Sequence, residues 1–151
     1  MESPPILIYR VSNFFYRIKL RPISTLLNWT NRFLFATFIP GSAKIGKNFK
    51  VGYWGLGVVI HKNCKIGNDC TIGQNVTIGR NFGQKGVPKI GNSVYISTGS
   101  VIFGEINIGD NVIIGSNSLV NKSVPSNSIV GGNPLRVIKT NSPNYLQINN
   151  K

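Results

Sequence analysis

A single imidazole dominates what this chain could do chemically. His61 is its only histidine, and histidine is the side chain that gains and loses a proton near neutral pH, the natural general base. Other chemistry-bearing groups are sparse. Cys64 and Cys70 are the only cysteines, and no second pair exists to complete a metal site with them. The carboxylates are Glu2, Asp69, Glu105 and Asp110. No ligand cluster emerges from this set, so no metal is expected. Against four acidic residues stand 17 lysines and arginines, a net charge of +13. That balance favours an anionic partner: a nucleotide cofactor, an acidic glycan, a phospholipid surface or nucleic acid. The basic residues form no dense block, and no nucleic-acid-binding motif is present, which sets nucleic acid aside.

What must position His61 is a repeat. Aliphatic residues recur at every sixth place: Ile60, Ile66, Ile72, Ile78, Ile90, Ile96, Ile102, Ile108, Ile114 and Val120, with a miss only at 84. Ile45 and Val51 share the spacing but sit three places out of phase, so an irregular segment lies between Val51 and Ile60. Glycine often follows the aliphatic, and the fourth residue after it is small or apolar, as at Cys64, Cys70, Val76, Val94 and Ser100. A strand alternates with period two and an α-helix repeats near 3.6. Period six suits a short strand plus a turn, coiled repeatedly, with two inward positions per repeat. The expected fold is therefore all-β, a parallel β-helix of hexapeptide repeats. Both cysteines fall in the small inward slot and read as core filler. His61 takes the slot after the aliphatic, where neighbouring repeats carry glycine, directly beside the irregular segment.

Residues 1–40 have a different texture and are expected to form short N-terminal α-helices ahead of a β-helix domain at 41–139 and a tail at 140–151. Leu7, Val11, Phe14, Phe15 and Ile18 recur at helical spacing, with Arg10, Arg17 and Lys19 interleaved, up to a stop near Arg21–Pro22. Ser24 can cap a second helix carrying Leu26, Leu27, Phe33, Leu34 and Phe38. These apolar faces suit packing on the coil or on another subunit; a basic, aromatic helix also suits an anionic membrane surface. Neither a secretory signal nor a run of ~18 uncharged apolar residues occurs, so the expected location is cytoplasmic, with peripheral membrane contact as the second option.

The pattern resembles the hexapeptide-repeat acyltransferases, and within them the serine acetyltransferase-like and polysaccharide O-acetyltransferase branch. The matching segments are Gly57-Val58-Val59-Ile60, Asn75-Val76-Thr77-Ile78-Gly79, Pro88-Lys89-Ile90-Gly91 and the closing Gly132-Asn133-Pro134-Leu135-Arg136-Val137-Ile138. The resemblance implies a left-handed coil with three hexapeptides per turn, a homotrimer and acetyl-CoA as acetyl donor. Serine acetyltransferases carry a histidine just before the Gly-Ile-Val-Val segment and another before Pro-Lys-Ile. Here those stretches read Tyr53-Trp54-Gly55-Leu56 and Val87. Both departures, with only about 40 residues ahead of the repeats, move the expected acceptor from serine to a sugar hydroxyl of a surface polysaccharide or its precursor. A small-molecule acetyltransferase acting on serine or an amino sugar is the alternative, and an inactive scaffold the third reading. If residues eighteen apart stack, His61 shares a column with Gly79, Ser97 and Gly115, and Thr98 and Ser116 lie in the next. That predicts a cofactor groove of small residues descending from a catalytic His61. Lys85, in an exposed loop at Arg80–Lys89, and Arg136 and Lys139, at the groove's end, are expected to meet phosphates. Tyr53 and Trp54 are expected to hold the glycan or other hydroxyl-bearing acceptor.

Overall fold

The structure, a computed structural model, describes residues 2–83 and 85–140; the expected tail lies outside the described residues from 141 onward. Two helices, α1 (Pro4–Arg17) and α2 (Arg21–Phe35), precede the coil. The first turn of the coil holds β1 (Lys44–Ile45), β2 (Lys50–Val51) and β3 (Val59–Ile60). The second holds β4 (Lys65–Ile66), β5 (Thr71–Ile72) and β6 (Thr77–Gly79). The third holds β7 (Lys89–Ile90), β8 (Tyr95–Ile96) and β9 (Val101–Phe103). The fourth holds β10 (Asn107–Ile108), β11 (Ile113–Ile114) and β12 (Leu119–Val120), before β13 (Ile129–Gly131) and β14 (Arg136–Lys139) close the domain.

These strands stack into three faces of a prism. The first face is β1-β4-β7-β10, the second is β2-β5-β8-β11-β13-β14, and the third is β3-β6-β9-β12. Pairing is parallel throughout except between β13 and β14. The coil is left-handed, as the resemblance implied. The sixth-place aliphatics form its interior: Ile60, Ile72, Ile78, Ile102 and Ile114 are fully buried. Cys64 and Cys70 are buried free thiols in the small inward slot, as expected.

Turn length is where the eighteen-residue arithmetic fails. Val59 pairs with Thr77, 18 residues on, but Thr77 pairs with Val101, 24 residues on. The loop after Gly79 is thus an extra hexapeptide and does not stand in for a strand. It preserves the phase of six, so inward residues stay inward, yet every later residue falls one face short of where that count places it. The first turn is long as well: Lys44 pairs with Lys65, 21 residues on. The irregular segment expected there contains a tight turn at Gly52–Gly55 whose central residues, Tyr53 and Trp54, are left-handed.

The helices also depart from expectation. The first helix ends at Arg17, and Pro22 opens the second where Ser24 was expected to cap it. Proline suits the first turn of a helix, whose N–H groups have no intrahelical partner. Ser24 is buried against Ser12, their hydroxyls 2.9 Å apart. The buried residues of α1 include Ile6, Tyr9 and Ser12, and the apolar stripe of Leu7, Val11, Phe14 and Ile18 is exposed. Inward, α1 supplies hydrogen bonds to the backbone around β1. The Tyr9 hydroxyl donates to Ala43 O (2.8 Å) and accepts from Ile45 N (3.2 Å). Arg10 donates to Ile45 O and Gly46 O, and Asn13 to Gly41 O. Phe38 already bridges to Val59, so strand pairing begins before Pro40.

Candidate active site

His61 leaves β3 at the third edge of the prism, between the third face and the first. Its N–H donates to Ile78 O (2.8 Å) and its carbonyl accepts from Cys64 N (3.0 Å), so the backbone on both sides of the imidazole is fixed. The ring is half-buried. Its Nδ1 accepts a hydrogen bond from the Asn63 backbone N–H at 3.2 Å. With that lone pair occupied, the neutral ring carries its proton on Nε2. Burial lowers the pKa of His61 below its ordinary value, and the nearby Arg80 and Lys62 cations lower it further. Both effects favour the neutral imidazole. Arg80 and Lys62 are what sequence reasoning missed: their shared column was legible, a role beside the sole histidine was not assigned.

The register sorts the expected site residues onto two edges. Below His61 at the third edge stand Gly79, Phe103 and Asn121. Of the expected cofactor residues, only Gly79 keeps its place under His61, and a side chain there would meet open space. The loop carrying exposed Lys85 leaves this same edge. Ser97, Thr98, Gly115 and Ser116 do not share the column of His61. They lie at the second edge, between the second and third faces, where Gly73, Ser97, Gly115 and Gly131 stack. The reason is the extra hexapeptide, which the eighteen-residue count left out. Those residues still form a continuous strip, because Gly131 pairs with Arg136. Arg136 is exposed on β14 at its far end, whereas Lys139, also exposed, pairs with Ile129 at the other end of β13 and does not lie at the end of the strip as expected.

Tyr53 and Trp54 rise from that second edge at its opposite end, within the turn between β2 and β3. Both have left-handed backbones, with φ of 46° and 55°. For a bulky aromatic residue this costs about 1–2 kcal/mol, a strain that holds two rings outward. The Trp54 ring packs edge-on against Phe35 at 5.8 Å. Together with Phe33, Leu34, Ala36 and Leu56, these aromatics line an apolar hollow of about 570 Å3. A second hollow of about 750 Å3, between α1 and the first face, is lined by Tyr16, Arg17, Lys44 and Lys65 and does not include His61. Among the described residues no group of histidines, cysteines and carboxylates could hold a metal ion.

Three parallel faces wound from six-residue units around a stacked isoleucine interior define the class: this is a hexapeptide-repeat protein. Residues 42–80 match the family described as bacterial transferase hexapeptide, six repeats. Within that class the similarity runs to the serine acetyltransferase-like branch. The chain is 36% identical over 135 residues to the serine acetyltransferase of Bacillus pumilus, covering 88% of this chain and 62% of that one. It is 39% identical over 131 residues to that of Staphylococcus epidermidis, covering 85% and 61%. Among solved structures, the Vibrio cholerae serine acetyltransferase superposes with a TM-score of 0.87 at 29% identity, over 93% of this chain and 55% of that one. A soybean serine acetyltransferase complexed with serine gives 0.84 at 33%, over 89% and 56%. A serine acetyltransferase in complex with CoA gives 0.82 at 30%, over 89% and 55%. The chain thus spans about three-fifths of the length of these relatives.

Proposed function

We propose that this chain is an acetyl-CoA-dependent O-acetyltransferase acting on a small hydroxyl-bearing acceptor. The observation that carries the reading is the sole imidazole, placed above Gly79 at an open edge of the prism. In the proposed reaction His61 accepts the proton of the acceptor hydroxyl. The oxygen forms a bond to the acetyl carbonyl carbon, the thioester C–S bond breaks, and the thiolate leaves and takes up a proton. The base must offer a free lone pair, so the ring first releases the Asn63 N–H, a long bond at 3.2 Å. Arg80 and Lys62 favour the neutral ring before the transfer and attract anionic groups.

The strip of Ser97, Thr98, Gly115 and Ser116 ending at Arg136 suits an extended ligand with phosphates at one end, but it lies on a different edge from His61. In a homotrimer of prisms, the third edge of one protomer can face the second edge of its neighbour. We therefore place the donor between subunits, with His61, Gly79 and Lys85 from one protomer and the strip from the next. The relatives are serine acetyltransferases, which supports the small-molecule acceptor over the polysaccharide acceptor expected from sequence. A sugar hydroxyl stays as a second reading because of Tyr53 and Trp54, two outward rings at the end of the strip on which a sugar could stack. The expected cytoplasmic location goes with either acceptor. The test is thiol release from acetyl-CoA with serine and with free sugars. Release that depends on an acceptor and vanishes in His61→Ala supports the reading; full activity in that variant overturns the base assignment.

A further inference from the structure

Both helices turn large apolar side chains to water, and the second is inside out. On α1, Leu7, Val11 and Phe14 are exposed, as is Ile18 just beyond its end, while Ile6, Tyr9 and Ser12 are buried. On α2, Leu26, Trp29 and Phe33 are 67%, 64% and 90% exposed, while Ser24 and Asn31 are buried. An ordinary surface helix does the reverse, turning its apolar face to the core. Beyond Phe33 the exposed apolar surface continues through Leu34 to Tyr53, Trp54 and Leu56. That is more than the scattered apolar residues of a monomer surface. Its rim is basic: Arg17, Lys19, Arg21 and Arg32 are all exposed. Arg21 lies over the Tyr16 ring and Arg32 over the Trp29 ring. The one carboxylate near the helices, Glu2, is paired with Arg10 at 3.0 Å.

We propose that the α1–α2 pair docks on an anionic phospholipid bilayer. The aromatic and aliphatic faces enter the boundary between headgroups and acyl chains, and the arginines and Lys19 reach the lipid phosphates. Charge selects this occupant. In a two-fold contact of this face with a second copy, Arg17, Lys19, Arg21 and Arg32 would be set against themselves. An anionic bilayer supplies negative charge and an apolar interior at once. At 14 and 15 residues the helices lie on the membrane and do not cross it. Nothing in this depends on the acetyl-transfer reading.

Both tryptophans of the chain, Trp29 and Trp54, belong to the exposed apolar surface, so intrinsic fluorescence reports docking directly. The full chain is mixed with vesicles of phosphatidylcholine alone or with added phosphatidylglycerol. It should sediment only with the anionic vesicles, with a blue shift in emission. Binding should weaken as salt rises from about 50 mM to about 500 mM. Phe14→Glu combined with Phe33→Glu should weaken partitioning at least about tenfold with an unchanged circular dichroism spectrum. Absence of sedimentation, or binding indifferent to lipid charge and salt, overturns the proposal. So does a lipid-independent rise in mass that Phe33→Glu abolishes, since the face would then belong to a second copy. Should the double variant fail to fold, the lipid-charge and salt arms on the wild-type chain decide alone.

Discussion

The ring of His61 is shaped by neighbours that each do one thing. Burial and the cations of Arg80 and Lys62 favour the neutral form, so the group is poised as a base below the pH at which a free histidine would be. Acetyl transfer should therefore fall only as pH drops through a value under 6.5, where the ring takes up a proton. Arg80→Gln removes one lowering charge, so the acidic limb of kcat/KM should move upward toward 6.5. A limb that stays put on that substitution would remove Arg80 from the account. The thiol assay itself is clean for a related reason. Burial pushes Cys64 and Cys70 up to about 11, and both sit in the core. The place of these cysteines was legible in the sequence because the slot they fill is periodic. The surroundings of His61 were only half legible. Gly79, Lys62 and Arg80 lie within one regular turn of it, whereas everything further down the column depends on a loop whose length had to be counted correctly.

At the scale of the element, a period of six says which residues face inward and nothing about which face they are on. One added hexapeptide leaves Ile90 and Ile96 buried as before while moving Ser97 and Gly115 away from His61. Amphipathic spacing has the same blindness in α1. It establishes that a helix has two unlike faces, and the apolar one is naturally assigned to the core. Here hydrogen bonding decides instead, because the first strand has backbone groups that only polar side chains can satisfy. Tyr9→Phe deletes the hydroxyl that serves both Ala43 O and Ile45 N in a buried setting. It should cost about 1–3 kcal/mol, read as a lowered midpoint in denaturant unfolding with the slope unchanged. A cost near zero would mean that water replaces the hydroxyl and that α1 is held by its apolar contacts alone.

For the whole molecule, the proposed reading puts the donor between protomers, with His61 on one edge and the small-residue strip on another. Co-expression of His61→Ala with Ser116→Trp chains tests this. Each variant alone should be inactive, the first for want of a base and the second through a blocked strip. Random mixing into trimers should restore transfer at about a quarter of the sites. No recovery, with mixed trimers verified by mass, would mean that both edges serve one protomer or that the strip is not used. Exposed Ser116 makes little contact that tryptophan would disturb.

A coil of identical turns has no intrinsic reason to stop, since each turn is a template for the next. This one is finished at both ends by parts that cannot be repeated. At the start, Tyr9, Arg10 and Asn13 occupy backbone groups at which another turn would otherwise add. At the finish, β14 runs back against β13 in the opposite sense, so no further parallel strand can follow in register on the second face. The stacking that makes the domain rigid is thereby kept from becoming head-to-tail polymerisation. The length of the prism is set by its two stoppers, and its repeat alone would not fix it.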